Sequence, residues 1–235
     1  MKKKIVVSFS GGKDSVLALH RLQKSGEWEI DSLLTTLTED YDRTTMHGVR
    51  NHMLEEQAKA LGIPLRKVWI PRDCVNEVYQ QRMEEAVDGI IDDEISYIMF
   101  GDIFLEDVKT YREKMLEGTG LTPVFPIWGE DSKELIHEFV DSGFKTVVCC
   151  VDTHQIDSSY IGRVIDEQFI LDYPKEYDVC GENGEFHTFV FNGPNFSFPI
   201  AYQLGAFRLA KDMYTGKDRF YYVDLLSNNG GESKP

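Results

Sequence analysis

Residues 4–15 have the sequence Lys4-Ile5-Val6-Val7-Ser8-Phe9-Ser10-Gly11-Gly12-Lys13-Asp14-Ser15, and this stretch decides the fold of the N-terminal half. The β-branched apolar run from Ile5 to Phe9 predicts a buried strand. The run breaks at Ser10-Gly11-Gly12, and an amphipathic stretch with helical spacing follows from Val16 to Leu22. A strand, a glycine turn and the first turn of a helix form the arrangement in which free backbone N–H groups converge on an anion.

The residues of this turn suit a phosphate group. Gly11 and Gly12 permit positive φ angles and let phosphate oxygens approach the main chain. Ser10 and Ser15 add hydroxyl donors, and Lys13 adds a mobile cation. The alternative is a serine–glycine turn that only opens an ordinary helix. The strand and the helix that flank the turn favour a phosphate site.

Two other phosphate-binding signatures are excluded. The Walker A motif requires Gly-Lys followed directly by Ser or Thr, whereas Asp14 intervenes here. The dinucleotide fingerprint Gly-x-Gly-x-x-Gly is absent as well. Ser-Gly-Gly-Lys-Asp-Ser after an N-terminal strand instead resembles the pyrophosphate loop, or PP-loop, of the N-type ATP pyrophosphatases. This resemblance implies that ATP is split between its α and β phosphates and that the substrate becomes adenylated.

Composition limits the partners. The 235 residues carry a net charge of −15, with a sequence pI near 4.8. Such a surface repels phosphate backbones, so we expect no nucleic-acid partner. No apolar run approaches the length of a membrane span or a signal-peptide core, which predicts a cytoplasmic protein without a membrane partner. The four cysteines show no metal-ligand spacing and favour small buried side chains in a reducing compartment.

Apolar strands alternate with helical patterns up to about residue 125. After Ile5–Phe9, strands are predicted at Ile30–Leu37, Leu65–Ile70 and Ile95–Phe100. This alternation predicts an α/β fold with a Rossmann-like (HUP-type) parallel sheet and helices on both faces. Ligands of such sheets lie beyond the carboxyl ends of the strands. One ATP could therefore contact all the loops there, at residues 10–15, 38–47, 71–73 and 101–106.

The pattern changes in the second half of the chain. We predict an ATP-binding domain at residues 1–125, a smaller α+β lobe that binds the substrate at residues 126–226, and a disordered tail at residues 227–235. The lobe should contain a short helix at Ile161–Leu171. Antiparallel strands are predicted at Phe186–Phe191, Gln203–Ala210 and Arg219–Leu226.

A second motif has the sequence Cys180-Gly181-Glu182-Asn183-Gly184-Glu185-Phe186-His187-Thr188. Alone, it is equally well explained as a polar turn entering a strand. Together with residues 10–15, with Phe100-Gly101-Asp102-Ile103 and with Trp128, it resembles the diphthine–ammonia ligase family over most of the chain. The phosphate-loop motif is specific to the superfamily, and the motif at residues 180–188 is specific to this family.

The resemblance is incomplete at two positions. Diphthine–ammonia ligases usually have Gly-Gly-Glu, an aromatic residue and then an acidic residue, whereas this chain has Asn183 and His187 instead of the first glycine and the acid. An imidazole in place of a carboxylate changes the charge where the substrate should bind. The resemblance therefore leaves open the same chemistry on another small molecule, for example in cobamide salvage.

The resemblance implies a mechanism and a set of site residues. A substrate carboxylate attacks the α-phosphorus of ATP, pyrophosphate leaves, and ammonia or an amine then displaces AMP. The expected catalytic residues are Lys13, Asp14, Glu182 and Glu185. The expected nucleotide contacts are Ser8, Ser10, Gly11, Gly12, Lys13, Asp14, Ser15, Thr36, Gly101 and Asp102. The expected substrate contacts are His47, Arg50, Gly181, Glu182, Asn183, Glu185 and His187.

Several of these assignments keep an alternative. Asp14 is the candidate ligand for Mg²⁺, because a carboxylate beside phosphates calls for a cation between them. Asp102 is a second candidate for the metal or the ribose, or else a cap for a helix at 106–117. His47 alone would be an exposed loop histidine. The carboxylate substrate is either a small molecule or a modified protein side chain, and a homodimer is left open. The rival functions are a tRNA-modifying enzyme of the same superfamily and a nucleotide-binding protein without turnover.

Overall fold

Two β-sheets organise the fold. The computed structural model describes residues 2–44, 47–72, 74–212 and 215–227. The first sheet has six strands: β1 (Lys3–Ser8), β2 (Trp28–Thr38), β3 (Arg43–Thr44), β4 (Leu65–Ile70), β5 (Tyr97–Met99) and β6 (Thr122–Val124). β1 lies between β2 and β5, β4 pairs with β2, and β6 pairs with β5. All of these pairs are parallel, and only the short β3 runs antiparallel to β2.

Helices cover both faces of this sheet, as predicted. They are α1 (Lys13–Ser25), α2 (Asn51–Leu61), α3 (Asn76–Asp92) and α4 (Glu106–Leu116). Successive side chains of a strand point to opposite faces. Accordingly, Ile5 and Val7 of β1 join the apolar cluster of α1 and α2, whereas Val6 joins that of α3 and α4. The predicted Rossmann-like α/β architecture is confirmed. No helix in the described part of the chain is both long and apolar enough to cross a membrane.

The second sheet has four antiparallel strands in the order β8-β7-β10-β9. They are β7 (Lys145–Asp152), β8 (Phe186–Asn192), β9 (Tyr202–Lys211) and β10 (Asp218–Ser227), and α5 (Ser132–Asp141) and α6 (Glu167–Asp172) accompany them. The three predicted antiparallel strands are present. Ser227 ends β10 rather than beginning a tail, and the rest of the predicted tail, residues 228–235, lies outside the described residues.

The predicted helix at Ile161–Leu171 is wrong in its first half. Residues 162–165 run beside β7, where the N–H of Val148 donates to the carbonyl of Arg163 and the N–H of Ile165 donates to the carbonyl of Thr146. The helix begins only after Asp166, whose carboxylate accepts a hydrogen bond from the N–H of Phe169. Pairing with a neighbouring strand therefore overrides the helical spacing of the apolar residues.

The two sheets share one apolar core. Val7 of the first sheet and Phe189 of the second belong to a single cluster of buried side chains. Phe144 packs edge-on against His20 of α1, with the ring centroids 5.2 Å apart. The predicted boundary between residues 125 and 126 stays a prediction, and the buried cluster extends across it.

A charged cluster also joins the sheets. Asp224 of β10 accepts hydrogen bonds from Arg50 Nε (2.9 Å) and Nη2 (2.6 Å), and from Arg43 Nη1 (2.8 Å). Burial acts to raise the pKa of Asp224, but the bonds from the two arginines outweigh it and lower the pKa to about 2. The guanidinium of Arg50 therefore binds Asp224 between the sheets. The sequence instead predicted a contact between Arg50 and the substrate.

Replacing Asp224 with Asn is expected to lower the free energy of unfolding by about 2 kcal/mol at pH 7, because two guanidinium groups lose their charged partner. The folded-state pKa is depressed, so this stabilisation is complete above the unfolded-state pKa of about 3.9 and is lost as the pH falls toward 2. Urea unfolding at pH 7 and at intervals between pH 5 and pH 3 measures the difference between the variant and the wild type.

The matched control is Asp88→Asn, which changes an exposed carboxyl on α3 and should leave stability unchanged. A loss in Asp224→Asn that stays constant down to pH 3 would contradict the charge-based explanation.

Candidate active site

The phosphate loop lies between the end of β1 at Ser8 and the start of α1 at Lys13. Gly11 has a φ of 78°, and a Cβ there would lie 2.3 Å from Oε1 of Gln57, so the position requires glycine. Gly12 is the N-cap of α1 and makes no side-chain capping bond. The first turn of α1 therefore offers backbone donors and the positive end of the helix dipole to an anion.

Contacts from the second sheet hold this loop in place. The Lys13 N–H donates to Thr188 Oγ1 (3.0 Å), and the Val190 N–H donates to the Gly11 carbonyl (2.9 Å). Gln57 of α2, which is fully buried, donates from Nε2 to the carbonyls of Gly11 (2.8 Å) and Val190 (2.7 Å). Sequence reasoning missed Gln57. Its one signal is a polar residue on the apolar face of α2, three residues after Leu54.

Lys13 and Asp14 form an ion pair inside the site. Lys13 is only 3% exposed, and its ammonium donates to both carboxylate oxygens of Asp14 at 2.9 and 2.8 Å. Burial acts to lower the pKa of Lys13, but the charge and hydrogen bonds of Asp14 outweigh it and raise the pKa to about 12. Burial raises the pKa of Asp14, and Lys13 opposes that shift. Lys13 is thus a protonated cation at neutral pH, and it is held close to the loop.

A cavity of about 320 Å³ opens beside the loop. Eleven of the expected site residues line it: Ser8, Ser10, Lys13, Asp14, Ser15, His47, Gly101, Asp102, Gly181, Glu182 and His187. A second cavity of about 340 Å³ shares Ser8, Ser10, His47, Phe100 and Arg112 with the first, and it includes Thr36. Its other walls are largely apolar, with Leu34, Met83 and Ile98. The two together form a polar compartment beside the loop that continues into an apolar one, which suits a nucleotide.

Gly101 lies between the first compartment and the start of α1. A Cβ at this position would lie 3.0 Å from the Ser15 nitrogen and 3.1 Å from the Asp14 carbonyl carbon. Both atoms are backbone, so neither can move aside without shifting the phosphate loop. The loop after β5 thus approaches the helix as closely as it does only because residue 101 has no side chain.

Asp102 pairs with Arg112 of α4, at 3.6 Å between Oδ2 and Nε. Both atoms are buried, and neither makes a hydrogen bond to any described residue. Burial raises the pKa of Asp102, and Arg112 opposes that shift. The alternative role as a helix cap is wrong, because the N-cap of α4 is Leu105. Two unsatisfied polar atoms at the wall of a cavity are where a bound ligand would make contacts.

Glu182 is the second carboxylate of the polar compartment. Its Oε1 accepts a hydrogen bond from the Ile103 N–H (2.8 Å), and its own N–H donates to Asp178 Oδ2 (2.8 Å). Burial raises the pKa of Glu182 to about 7, the charge of Asp14 adds to the rise, and the Ile103 bond opposes it. Glu182 therefore exchanges a proton near neutral pH, as a general acid or base must.

Glu185 and Asn183 lie behind the cavity rather than in its wall. Glu185 is 1% exposed, and its Oε1 accepts from the Asp178 N–H (3.0 Å) and from Asn183 Nδ2 (3.1 Å). Both side chains thus order the turn that presents Gly181 and Glu182. Among the described residues, the structure brings neither of them nor Arg50 to the cavity, although all three were expected to contact the substrate.

Other expected contacts are only partly realised. His47 is half-buried and stacks on His187, so the alternative of an exposed loop histidine is wrong. Pro71 and Arg72 of the predicted 71–73 loop line neither cavity, and Asp73 lies outside the described residues, as does Met46 before His47. No group of three or more His, Cys, Asp or Glu side chains among the described residues could hold a metal ion by itself.

A family model described as "Diphthamide synthase N-terminal domain" matches residues 3–123, and one described as "Diphthamide synthase C-terminal domain" matches residues 131–215. The chain is 23% identical over 219 residues to a diphthine–ammonia ligase of Bos taurus and 22% identical to that of Homo sapiens. Each match covers 84% of this chain and 82% of the relative.

A third match is shorter. The chain is 32% identical over 96 residues to the tRNA-specific 2-thiouridylase MnmA of Halorhodospira halophila, a match that covers 37% of this chain and 23% of that protein. The resemblance drawn from the sequence motifs is confirmed by the two family models.

Replacing Gly101 with Ala is expected to weaken ATP binding by about 10-fold, because the new methyl group displaces the backbone of the phosphate loop by a few tenths of an ångström. Calorimetric titration with ATP and Mg²⁺ measures the change, and circular dichroism checks that the variant is folded. Gly89→Ala in α3, where a Cβ meets nothing within 4 Å, is the control and should bind ATP like the wild type. Equal affinity in both variants would show that the loop does not depend on the contact with Gly101.

Proposed function

The chain belongs to the diphthamide synthase family, and we propose that it is an ATP-dependent ligase that adenylates a substrate carboxylate and then amidates it with ammonia or an amine. The products beside the amide are pyrophosphate and AMP. One observation carries the proposal. A phosphate loop with a protonated lysine and a carboxylate with a pKa of about 7 line the same cavity, at Lys13 and Glu182.

In the first step, the loop holds the phosphates while the substrate carboxylate attacks the α-phosphorus. The Lys13 ammonium gives up part of its hydrogen bonding to Asp14 and binds the pyrophosphate instead. Its charge neutralises the negative charge that accumulates on the pyrophosphate. The Ser15 hydroxyl donates to the Gly12 carbonyl (3.0 Å) and lies 3.2 Å from the Ser10 hydroxyl, so both must turn toward the phosphates to act as further donors. Preorganised donors of this kind are worth roughly 3–4 kcal/mol each when removed, which corresponds to a rate loss of about 100- to 1,000-fold.

Mg²⁺ fits this compartment as a partner of the nucleotide. Asp14 and Asp102 both line the cavity, and Mg²⁺ is usually bound by one or two carboxylates together with substrate phosphates. Asp102 Oδ2 makes no hydrogen bond to any described residue and faces Arg112 Nε at 3.6 Å, so a cation bound there would compete with this ion pair. When bound, Mg²⁺ would neutralise charge on the phosphates.

In the second step, Glu182 accepts the proton that the nitrogen nucleophile loses as it displaces AMP. The pKa of Glu182, about 7, lets it hold that proton and then release it to water. The N–H of Ile103 fixes one oxygen of this carboxylate at 2.8 Å. We propose a carboxylate substrate of small size or on a modified protein side chain. A homodimer and a cytoplasmic location stay predictions.

The tRNA-modifying alternative has less support. Sulfur transfer of the kind that a thiouridylase performs uses reactive thiols, and reactive thiols have lowered pKa values. Burial raises the pKa values of Cys149, Cys150 and Cys180 instead, that of Cys150 to about 12. Cys74, the fourth cysteine, is free and lies apart on the segment before α3. The wider likeness to the diphthine–ammonia ligases favours amidation.

The first expected outcome concerns the products. Incubation of ATP with the protein, Mg²⁺, ammonium chloride and candidate carboxylates that include diphthine should yield AMP and pyrophosphate in equal amounts. Lys13→Ala should lower kcat/KM for ATP by about 100-fold or more, because the charge beside the leaving group is lost. Lys114→Ala, an exposed lysine on α4, is the control. Formation of ADP and phosphate would contradict the proposed cleavage.

The second expected outcome concerns pH. The pKa of Glu182 is raised, so this residue is protonated below about pH 7 and able to accept a proton above it. At a constant concentration of free, unprotonated ammonia, amidation should therefore rise through pH 7 and level off near pH 8. Glu182→Gln should slow amidation by about 100-fold and abolish this rise, while ATP affinity changes little.

Hydroxylamine separates proton transfer from other roles of Glu182. This nucleophile is largely unprotonated at neutral pH and needs less help from a base. It should restore much of the activity of Glu182→Gln, whereas an equal loss with ammonia and hydroxylamine would show that Glu182 is not the proton acceptor.

A further inference from the structure

Two histidines form a stacked pair at the wall of the polar compartment. The imidazole rings of His47 and His187 have their centroids 4.5 Å apart and are inclined by 29°. His47 comes from the segment after β3, and His187 comes from β8. The pair lies directly beside the phosphate loop, since a Cβ on Gly12 would lie 2.9 Å from Cε1 of His47. Thr188, next to His187, accepts from the Lys13 N–H.

The hydrogen bonds show which nitrogen of His47 carries a proton and which ring nitrogens of the pair lack a partner among the described residues. Nδ1 of His47 lies 3.2 Å from the carbonyl oxygen of Thr188, and a carbonyl can only accept, so Nδ1 carries the proton. Nε2 of His47 therefore holds a free lone pair. The ring of His187 makes no hydrogen bond to any residue that the structure describes. Burial lowers the pKa of His47 to about 4 and that of His187 well below its usual value, and Lys13 lowers both further.

Among the described residues no carboxylate contacts either ring, and the Thr188 carbonyl alone acts to raise the pKa of His47. Lys13 of α1 is a cation, and Cys149 of β7 meets the pair only through its thiol, which donates to the main-chain carbonyls of both histidines. Tyr222 of β10 packs near Gly48 beside them. The carboxylates of the compartment have other partners: Asp14 binds Lys13, Asp102 pairs with Arg112, and Glu182 accepts from Ile103. An anion that stabilises the imidazolium form must come from a ligand.

We propose that His47 and His187 are contacts for the terminal phosphates of the nucleotide and that they stay bound to pyrophosphate after it has been cleaved from AMP. This inference rests on the proposed ATP site and adds a binding surface to it. Phosphate oxygens are the anions that the adjacent loop brings closest to the two rings. A phosphate raises the pKa of a neighbouring imidazole, so one proton is taken up on binding. The second ring stays neutral, because two positive charges 4.5 Å apart would repel each other.

The proton uptake fixes the sign of the pH dependence. A group whose pKa is higher in the complex than in the free protein strengthens binding as the pH falls. Pyrophosphate should therefore bind more tightly at pH 6.5 than at pH 8.5. With excess Mg²⁺ present, the proton affinity of pyrophosphate itself is lowered and contributes less to the difference.

The test is calorimetric titration of the full chain with pyrophosphate and excess Mg²⁺. Because either ring could hold the single proton when the other is replaced, the variant is the double substitution His47→Gln and His187→Gln, which keeps two hydrogen-bonding side chains but cannot take up the proton. It should bind about 10-fold more weakly than the wild type at pH 6.5 and less than 3-fold more weakly at pH 8.5. His137→Gln is the control, because His137 lies on α5 with its side chain about half exposed. The control should match the wild type at both pH values.

Imidazole nuclear magnetic resonance of the wild type gives a second measurement that a merely structural role would not affect. Saturation with pyrophosphate at pH 7 should move the signals of one ring of the pair from the neutral to the protonated form. Unchanged neutral signals in the complex, or equal affinity of the double variant and the wild type, would overturn this inference alone. Failure of the wild type to bind pyrophosphate would overturn it together with the proposed ATP site.

Discussion

The site depends on the hydrogen bonds between the phosphate loop and β8. A loop with two adjacent glycines has little rigidity of its own, and freezing it on binding would cost conformational entropy. The loop loses this entropy on folding rather than on binding, because hydrogen bonds from Val190 and Gln57 fix the Gly11 carbonyl and Thr188 fixes the Lys13 N–H. The anion cradle is therefore built by both sheets, although its sequence belongs to the first alone.

Burial gives the groups around the cradle different proton affinities. The same exclusion of water that raises the pKa of Glu182 to about 7 lowers that of His47 to about 4. Lys13 escapes the trend because Asp14 supplies a counter-charge, and its pKa is about 12. At neutral pH the described residues of the compartment thus include two cations, Lys13 and Arg112, one carboxyl near its titration point and a pair of neutral imidazoles.

Local sequence patterns predicted the parts of the site that are themselves local. The strand, the glycine turn and the helix at residues 5–22 follow from spacing and residue type, and the loop chemistry follows with them. Contacts between distant segments were not predictable. Gln57 contributes through hydrogen bonds to Gly11 and Val190, which are far away in the chain, and a polar residue in a helix does not show from sequence which surface it will face. Glu185 was expected to bind the substrate, but its side chain is buried and stabilises its own turn. The sequence motif shows which residues adjoin Glu185 in the chain but not how deeply it is buried. The helix expected at Ile161–Leu171 is shorter because residues 162–165 pair with β7. The spacing of its apolar residues does not show that pairing.

The anchoring of the loop has a consequence for how this protein can change. Of the two β8 residues that hold the loop, Val190 acts through its N–H and its carbonyl, so its buried side chain can be exchanged for another apolar one without loss of these hydrogen bonds. Thr188 acts through its hydroxyl, so its side chain cannot vary in the same way. The turn that precedes them supplies Gly181 and Glu182 to the cavity wall and keeps Asn183 and Glu185 behind it. Exchange of the residues behind the wall can therefore reshape the cavity, while the hydrogen bonds that hold the phosphate loop stay unchanged.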